Sequence, residues 1–324
     1  MSRAFFIVGP TATGKSELAA DVARETGAEI VSADAFQIYR GLDLLTAKPD
    51  HSTLAKAPHH LIGTMALSEE MNAEKYRRAA SRAVEEINSR GNLAIVVGGS
   101  GLYIRALTHG LAPLADADPK LREQLTAMSI DHLRVRLAEL DPETARKIDM
   151  NNRRRLIRAL EICLLTGRPA STQRKQWAVA ASLCEARRVG VTPRREDASH
   201  SEAATGVFVY RDREELYERI NERVKAMFER GVIEEVDAAG AMSATASQMI
   251  GLREIRELLD GRISRLQCIA AIQQATRRYA KRQLTWFRRQ TSFWPLNLSL
   301  LTHNEARILL RMRSGLRRGF RGAF

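Results

Sequence analysis

Apolar residues in the first hundred positions come in short unbroken runs, separated by stretches in which they recur every three or four residues. The runs are Ala4-Phe5-Phe6-Ile7-Val8, Glu29-Ile30-Val31-Ser32 and Leu93-Ala94-Ile95-Val96-Val97. Runs of this kind suit strands of a parallel sheet buried on both faces, and the stretches between them suit crossover helices. Between the second and third runs, Tyr76, Ala80, Ala83, Val84 and Ile87 share one stripe of a helix predicted over 72–89. The fold class predicted is α/β, a core with a parallel sheet flanked by helices.

The pattern changes near Leu114, where Asp116, Asp118 and Pro119 interrupt the chain. Helices are predicted over 119–128, 130–140, 142–148 and 153–166, with few strand-like runs before Arg188. A mostly helical domain is therefore expected over 116–189, inserted between core segments 1–115 and 190–300. The core resumes with a strand at Val207-Phe208-Val209-Tyr210. A helix follows over 213–229, with Leu216, Ile220, Val224 and Phe228 four apart and Gly231 as its stop. A further long helix is predicted from Ser264, which forms a capping-box pattern with Gln267, to about Arg289. Residues 301–324 are expected to be a basic C-terminal tail, partly disordered over its last twenty residues.

Composition narrows the setting. Hydrophobic residues make up 44% and charged residues 27%, the balance of a soluble globular protein. No run of eighteen apolar residues exists, and the chain enters its first strand without a signal region, so a cytoplasmic protein with no membrane partner is expected. Cys163, Cys184 and Cys268 lie far apart with no C-x-x-C spacing, which supports neither a disulfide framework nor a structural zinc site. The adjacent His59 and His60 carry no metal-binding spacing and read as packing or loop hydrogen-bonding residues.

Charge is unevenly placed. Residues 1–110 hold 12 basic and 12 acidic side chains, so the net charge of +13 arises beyond them. Residues 146–176 hold 9 basic and 2 acidic side chains, and residues 277–324 hold 12 and 1. Two separate basic blocks point to a polyanionic partner larger than a nucleotide, against the plainer reading of a solvated charged face and a basic tail.

The first apolar run leads directly into Gly9-Pro10-Thr11-Ala12-Thr13-Gly14-Lys15-Ser16, the G-x-x-x-x-G-K-[ST] pattern of a phosphate loop between a strand and a helix. Glycines at its corners let backbone N–H groups face one anion at a helix N-terminus. Lys15 adds a mobile charge, and the Ser16 hydroxyl suits Mg²⁺. Asp34 ends the second strand beside this loop, as an acceptor-binding carboxylate, a base, or a cap for the next helix. The third strand ends in Gly98-Gly99-Ser100-Gly101, where nucleotide-hydrolysing proteins with this loop usually place an Mg²⁺-binding aspartate. Arg153, Arg154 and Arg155 crowd the first turn of a helix, where the dipole disfavours each cation by ~0.3–1 kcal/mol. Such a cluster calls for an external anion, with Arg158 extending the patch toward nucleic-acid phosphates. Arg219 and Arg223, one turn apart, form a two-pronged edge fit for a diphosphate, unless Glu215 pairs with Arg219. By themselves these features admit an ATP-dependent small-molecule kinase or a non-catalytic RNA-binding protein.

Further segments stand in a recognisable order. They include Asp34-Ala35-Phe36-Gln37-Ile38-Tyr39-Arg40-Gly41, Thr46-Ala47-Lys48-Pro49, Pro58-His59-His60-Leu61 and Val97-Gly98-Gly99-Ser100-Gly101-Leu102-Tyr103. Later come Gln248-Met249-Ile250-Gly251-Leu252-Arg253-Glu254 and Tyr279-Ala280-Lys281-Arg282-Gln283. From residue 4 to about 290 the chain resembles the tRNA dimethylallyltransferase (isopentenyl-tRNA transferase) family. The resemblance implies a P-loop core with an inserted helical tRNA-binding domain. It also implies transfer of a dimethylallyl group from dimethylallyl diphosphate to N6 of the adenosine just 3′ of a tRNA anticodon. Lys15 and Ser16 match the diphosphate and Mg²⁺ positions, and Asp34 the general base. Ser100 stands where the family carries a threonine that contacts the reacting centre. Asp34, Ala35, Phe36, Gln37, Ser100, Arg122, Arg154, Arg155, Leu156, Ile157, Arg158, Gly251 and Arg253 match regions that contact the tRNA anticodon stem-loop. Diphosphate binding maps to Gly9, Thr11, Ala12, Thr13, Gly14, Lys15, Ser16, Arg219 and Arg223. A monomer is expected, since tRNA would occupy much of the basic surface.

Overall fold

The four predicted strands form at Ala4–Val8 (β1), Glu29–Ser32 (β2), Ala94–Gly98 (β4) and Gly206–Tyr210 (β5), and two more join them. These are His59–His60 (β3) and Phe293–Asn297 (β6). The structure is a computed structural model that describes residues 4–111, 118–173 and 206–313. All six strands are parallel, in the order β3-β2-β4-β1-β5-β6.

Alternation along each strand sends side chains to two separate cores. Phe6, Val8, Val31, Val96 and Phe208 face one cluster, and Phe5, Ile7, Ile30, Ile95, Val97 and Val207 face the other. The first cluster is closed by helices Ala73–Ser89 (α3), Gly101–His109 (α4) and Arg213–Glu229 (α9). Val232–Asp237 (α10), Leu252–Leu259 (α11) and Arg265–Phe287 (α12) complete it. Onto the second cluster pack Lys15–Thr26 (α1) and His303–Arg313 (α13). The capping box predicted at Ser264 and Gln267 is present at the start of α12.

Sequence reading missed β6 and misjudged the residues after 301. β6 contains Pro295, which a central strand would not accommodate, but it is an edge strand, where a missing N–H is tolerated. Residues 303–313 are a helix rather than tail, because Ala306 and Leu310, one turn apart, are buried against α1. Polar contacts hold this helix: His303 Nε2 lies 2.9 Å from Asp21 Oδ2, and Arg307 pairs with Glu25. The tail beyond Arg313 and the expected junctions at 115/116 and 189/190 lie outside the described residues. His59 and His60, read as packing or loop residues, form the short edge strand β3, where His60 Nε2 meets the Glu29 carboxylate at 2.7 Å.

The chain divides into two compact units, Met1–Thr108 with His200–Phe324, and His109–Ser199. The second unit contains helices Pro119–Ala127 (α5), Ile130–Leu140 (α6), Pro142–Lys147 (α7) and Arg153–Thr166 (α8). Asp118, Ser129, Asp141 and Asn152 cap them with their side chains, which is why the breaks fall there. Leu125, Leu133, Leu137, Leu156 and Leu160 form the core of this unit.

Candidate active site

The phosphate loop leaves β1 at Gly9 and enters α1 at Lys15. Only glycine fits at position 9, since a Cβ there would stand 2.1 Å from the Val209 carbonyl of β5. Gly14 adopts φ +89°, and Ala12 takes φ +65°, a conformation that a residue with a Cβ rarely adopts. Within the loop, Thr13 Oγ1 and Lys15 Nζ each donate to the Pro10 carbonyl at 3.1 Å.

Three arginines brace this loop from outside. Arg211 Nε donates to Thr13 O and Arg219 Nε to Ala12 O, both at 2.9 Å, and Arg223 Nη1 donates to Thr11 Oγ1 at 2.8 Å. Arg211, at the start of the turn into α9, escaped the sequence reading. The Glu215 carboxylate pairs with Arg211, so the alternative Glu215–Arg219 bridge does not form and Arg219 remains with the loop. Arg223 Nε is buried without a partner. A buried guanidinium with an unused N–H, next to a lysine, is an arrangement suited to an anion.

Electrostatics agree with that reading. Burial pushes the Lys15 ammonium down to about 8, with Asp34 opposing and Arg223 adding to the effect. Burial likewise brings Arg223 down to about 10, again with Asp34 opposing and Arg219 contributing. Without an anion, Lys15 loses its charge as pH rises through about 8. Affinity for inorganic diphosphate should therefore fall from pH 7.5 to 9.5, with proton uptake on binding across that window, both measurable by titration calorimetry in several buffers. An affinity constant across this range would mean that Lys15 does not face the anion.

Asp34 follows β2 at the carboxyl edge of the sheet. Its Oδ1 accepts from Phe36 N at 2.9 Å and Gln37 N at 3.2 Å, so the capping role foreseen for it serves a turn and not a helix. The strand β4 loop is locked beside it. Ser100 N donates to Ala33 O at 3.2 Å, and Ser100 Oγ accepts from Ala35 N at 2.9 Å. A Cβ on Gly98 would strike Ala33 O at 2.2 Å, which explains the glycine there. Burial, with the Asp34 charge second, holds the hydroxyl of Tyr279 on α12 well above the usual tyrosine range. This loop offers no carboxylate of the kind that binds Mg²⁺ in nucleotide-hydrolysing proteins.

A cavity of about 660 Å³, including its open mouth, joins these groups. Thr11, Asp34, Arg223 and Tyr279 line it together with Val224, Met227, Phe228, Ile255 and Ile272. Thus charged groups and an aliphatic wall border one space. Its Leu45–Ala47 side is held by Glu235, whose two oxygens accept from Leu44 N at 2.8 Å and Leu45 N at 2.9 Å. Gln37 Nε2 donates to Ala47 O at 2.9 Å on the same segment. Gly251, at φ +96°, opens α11 where a Cβ would stand 3.0 Å from Leu45 Cδ1, while Arg253 is exposed and pairs with Glu254.

In the second unit the arginines divide. Arg122 meets the buried Glu161 through two bonds of 2.6 and 2.7 Å, and Arg158 approaches the same carboxylate at 3.3 Å. Arg153 needs no external anion: its guanidinium donates to the Thr126 and Met128 carbonyls at the C-terminal end of α5, whose dipole welcomes a cation. Arg154 and Arg155 are exposed. Leu156 and Ile157 are buried in the helical core, so their side chains are not available to RNA in this arrangement.

Among the described residues, no helix is long and apolar enough to cross a membrane, and no group of three or more histidine, cysteine or acidic side chains could hold a metal ion.

Residues 37–290 match the family model described as IPP transferase. The chain is 42% identical over 290 residues to tRNA dimethylallyltransferase 1 of Citrifermentans bemidjiense, spanning 88% of this chain and 89% of the relative. To the tRNA dimethylallyltransferase of Akkermansia muciniphila it is 41% identical over 285 residues, spanning 88% and 90%. The crystal structure of the full-length tRNA isopentenylpyrophosphate transferase from Bacillus halodurans superposes with a TM-score of 0.65 at 31% identity, covering 97% of each chain. Agreement in sequence, length and fold leaves one assignment: this chain belongs to the IPP transferase family, that of the tRNA dimethylallyltransferases.

Proposed function

We propose that this protein transfers the dimethylallyl group of dimethylallyl diphosphate to N6 of the adenosine immediately 3′ of the anticodon in tRNA, releasing diphosphate. The observation that carries the proposal is the cavity on which the braced phosphate loop, the Asp34 carboxylate and an aliphatic wall all border. The five-carbon chain would lie against Val224, Met227, Phe228 and Ile272, with its diphosphate on Lys15, Arg219, Arg223 and the loop from Gly9 to Ser16.

The chemistry follows from these positions. As the bond between the allylic C1 and its diphosphate oxygen breaks, negative charge grows on the leaving group, where Lys15 and the arginines stabilise it. N6 is a weak nucleophile because its lone pair is delocalised into the ring. Asp34 takes the N6 proton as the C1–N6 bond forms, and Ser100 and Tyr279 hold the acceptor side of the site. The donor set also fits Mg²⁺. That ion keeps several waters and prefers substrate phosphate oxygens with few protein ligands, and the half-buried Ser16 hydroxyl in the first turn of α1 would serve as such a ligand. When bound, Mg²⁺ would neutralise diphosphate charge.

The adenosine must be unstacked to enter, at a cost of about a few kcal/mol. Exposed Arg154 and Arg155, with Arg122 and Arg158 oriented by Glu161, supply phosphate contacts for the tRNA. Incubation of the protein with dimethylallyl diphosphate, Mg²⁺ and unmodified tRNA, followed by digestion to nucleosides, should yield N6-dimethylallyladenosine. Its absence with several tRNAs that carry adenosine immediately 3′ of the anticodon would overturn the proposal, and phosphoryl transfer from ATP to a small acceptor would favour a kinase instead.

A further inference from the structure

The β1–β4 ladder ends where Gly9 N donates to Gly98 O at 3.2 Å. Beyond this rung the two site loops separate, one toward Lys15 and the other toward Ser100. Gln283 of α12 fills the gap between them. Its Oε1 accepts from Thr11 N and its Nε2 donates to Gly99 O, both at 2.9 Å. One orientation alone satisfies both, because an N–H requires an acceptor and a carbonyl a donor. The side-chain amide therefore stands where a further peptide group of the ladder would be.

The fit is close. Gln283 is 6% exposed, and a Cβ on Gly99 would come within 2.3 Å of its Nε2. Gly99, whose carbonyl Gln283 holds, is followed directly by Ser100. Ser100 in turn accepts from Ala35 N, beside Asp34. A path of hydrogen bonds thus runs from Thr11 through Gln283 to Gly99 and, by way of the adjoining Ser100, to the segment that carries the carboxylate.

We propose that Gln283 is a positioning residue for prenyl transfer, setting the separation between the departing diphosphate and the acceptor nitrogen. This rests on the functional reading above. The diphosphate is referenced to one loop, Ser100 and Asp34 to the other, and Gln283 joins them without touching a reacting atom. Carbon and nitrogen must meet at about 3–3.5 Å, and an error of ~1 Å costs on the order of 100-fold in rate.

Two variants test it. Gln283→Leu should slow single-turnover transfer by about 10- to 100-fold while changing affinity for inorganic diphosphate much less. Gln283→Glu keeps the shape and, when protonated, the glutamine pattern, with one oxygen accepting from Thr11 and an O–H donating to Gly99. Its rate relative to the unaltered protein should rise as pH falls from about 8.5 to about 6.5, because burial keeps a carboxyl protonated toward neutrality. A Gln283→Leu rate near that of the unaltered protein, or a rate loss matched by an equal loss of diphosphate affinity, would overturn the proposal. So would a Gln283→Glu profile parallel to the unaltered one, which answers the question alone if the leucine variant does not fold. Failure of the unaltered protein to prenylate tRNA would instead remove the functional reading itself.

Discussion

Asp34→Asn should lower the rate of dimethylallyl transfer by about 10²–10⁴-fold, the usual contribution of a positioned general base. The substitution is informative because asparagine keeps the Oδ1 acceptor that Phe36 N and Gln37 N use, so the turn after β2 is retained. What is lost is the negative charge and the capacity to take a proton. Asp34 also favours the charged form of Lys15, so the comparison belongs near pH 7, where Lys15 stays protonated in the free protein. Single-turnover assays with saturating tRNA and dimethylallyl diphosphate separate the chemical step from binding. Near-full activity would show that the proton leaves by another route, and Asp34 would then be a capping residue only.

The second large effect has opposite signs on activity and stability. Arg223→Met should lower transfer by about 10²–10³-fold, the range found when one donor to developing negative charge is removed. Yet the same change should stabilise the unliganded protein by about 1 kcal/mol, a rise of roughly 2–4 °C in melting temperature. Burial brings the Arg223 guanidinium down to about 10, and its Nε has no partner. Arg219 adds repulsion. An apolar chain of similar length removes both penalties. Inorganic diphosphate should then raise the melting temperature of the unaltered protein far more than that of the variant, since stabilisation follows the logarithm of occupancy. A lower melting temperature for unliganded Arg223→Met would show that the bond to Thr11 outweighs the buried charge.

Local chemistry made much of this site legible beforehand. The phosphate loop, Asp34 and the glycines before Ser100 are contiguous signals, each tied to the end of a strand that the apolar runs reveal. Arg211 carries no such local mark, and Gln283 ends the Tyr279–Gln283 segment without a role to be read from it: their partners Thr13, Thr11 and Gly99 are distant in sequence, and only the folded sheet brings them together. Gln283 did leave a trace, as a polar residue among buried positions Ile272, Thr276, Ala280 and Phe287 of one helix. Charge was the less reliable guide. The arginines at the start of α8 implied an external anion, but Arg153 finds carbonyls at the end of another helix and Arg158 approaches a buried glutamate. A basic count after residue 301 likewise concealed the apolar pair that makes α13 a packed helix.

The order of the strands has a consequence for how the protein is made. The phosphate loop is synthesised before the rest of the site, but β1 is flanked by β4 and β5, and α1 packs against α13. Its bracing arginines come at 211, 219 and 223, and its link to the Ser100 loop at 283. The earliest-synthesised part of the site thus waits for most of the chain before it acquires its neighbours, and such long-range closure is slow. During translation the loop is an unbraced segment beside an exposed apolar strand, the kind of surface that chaperones cover. A ribosome that stopped before residue 283 would release a chain with the phosphate-loop sequence but not its cradle.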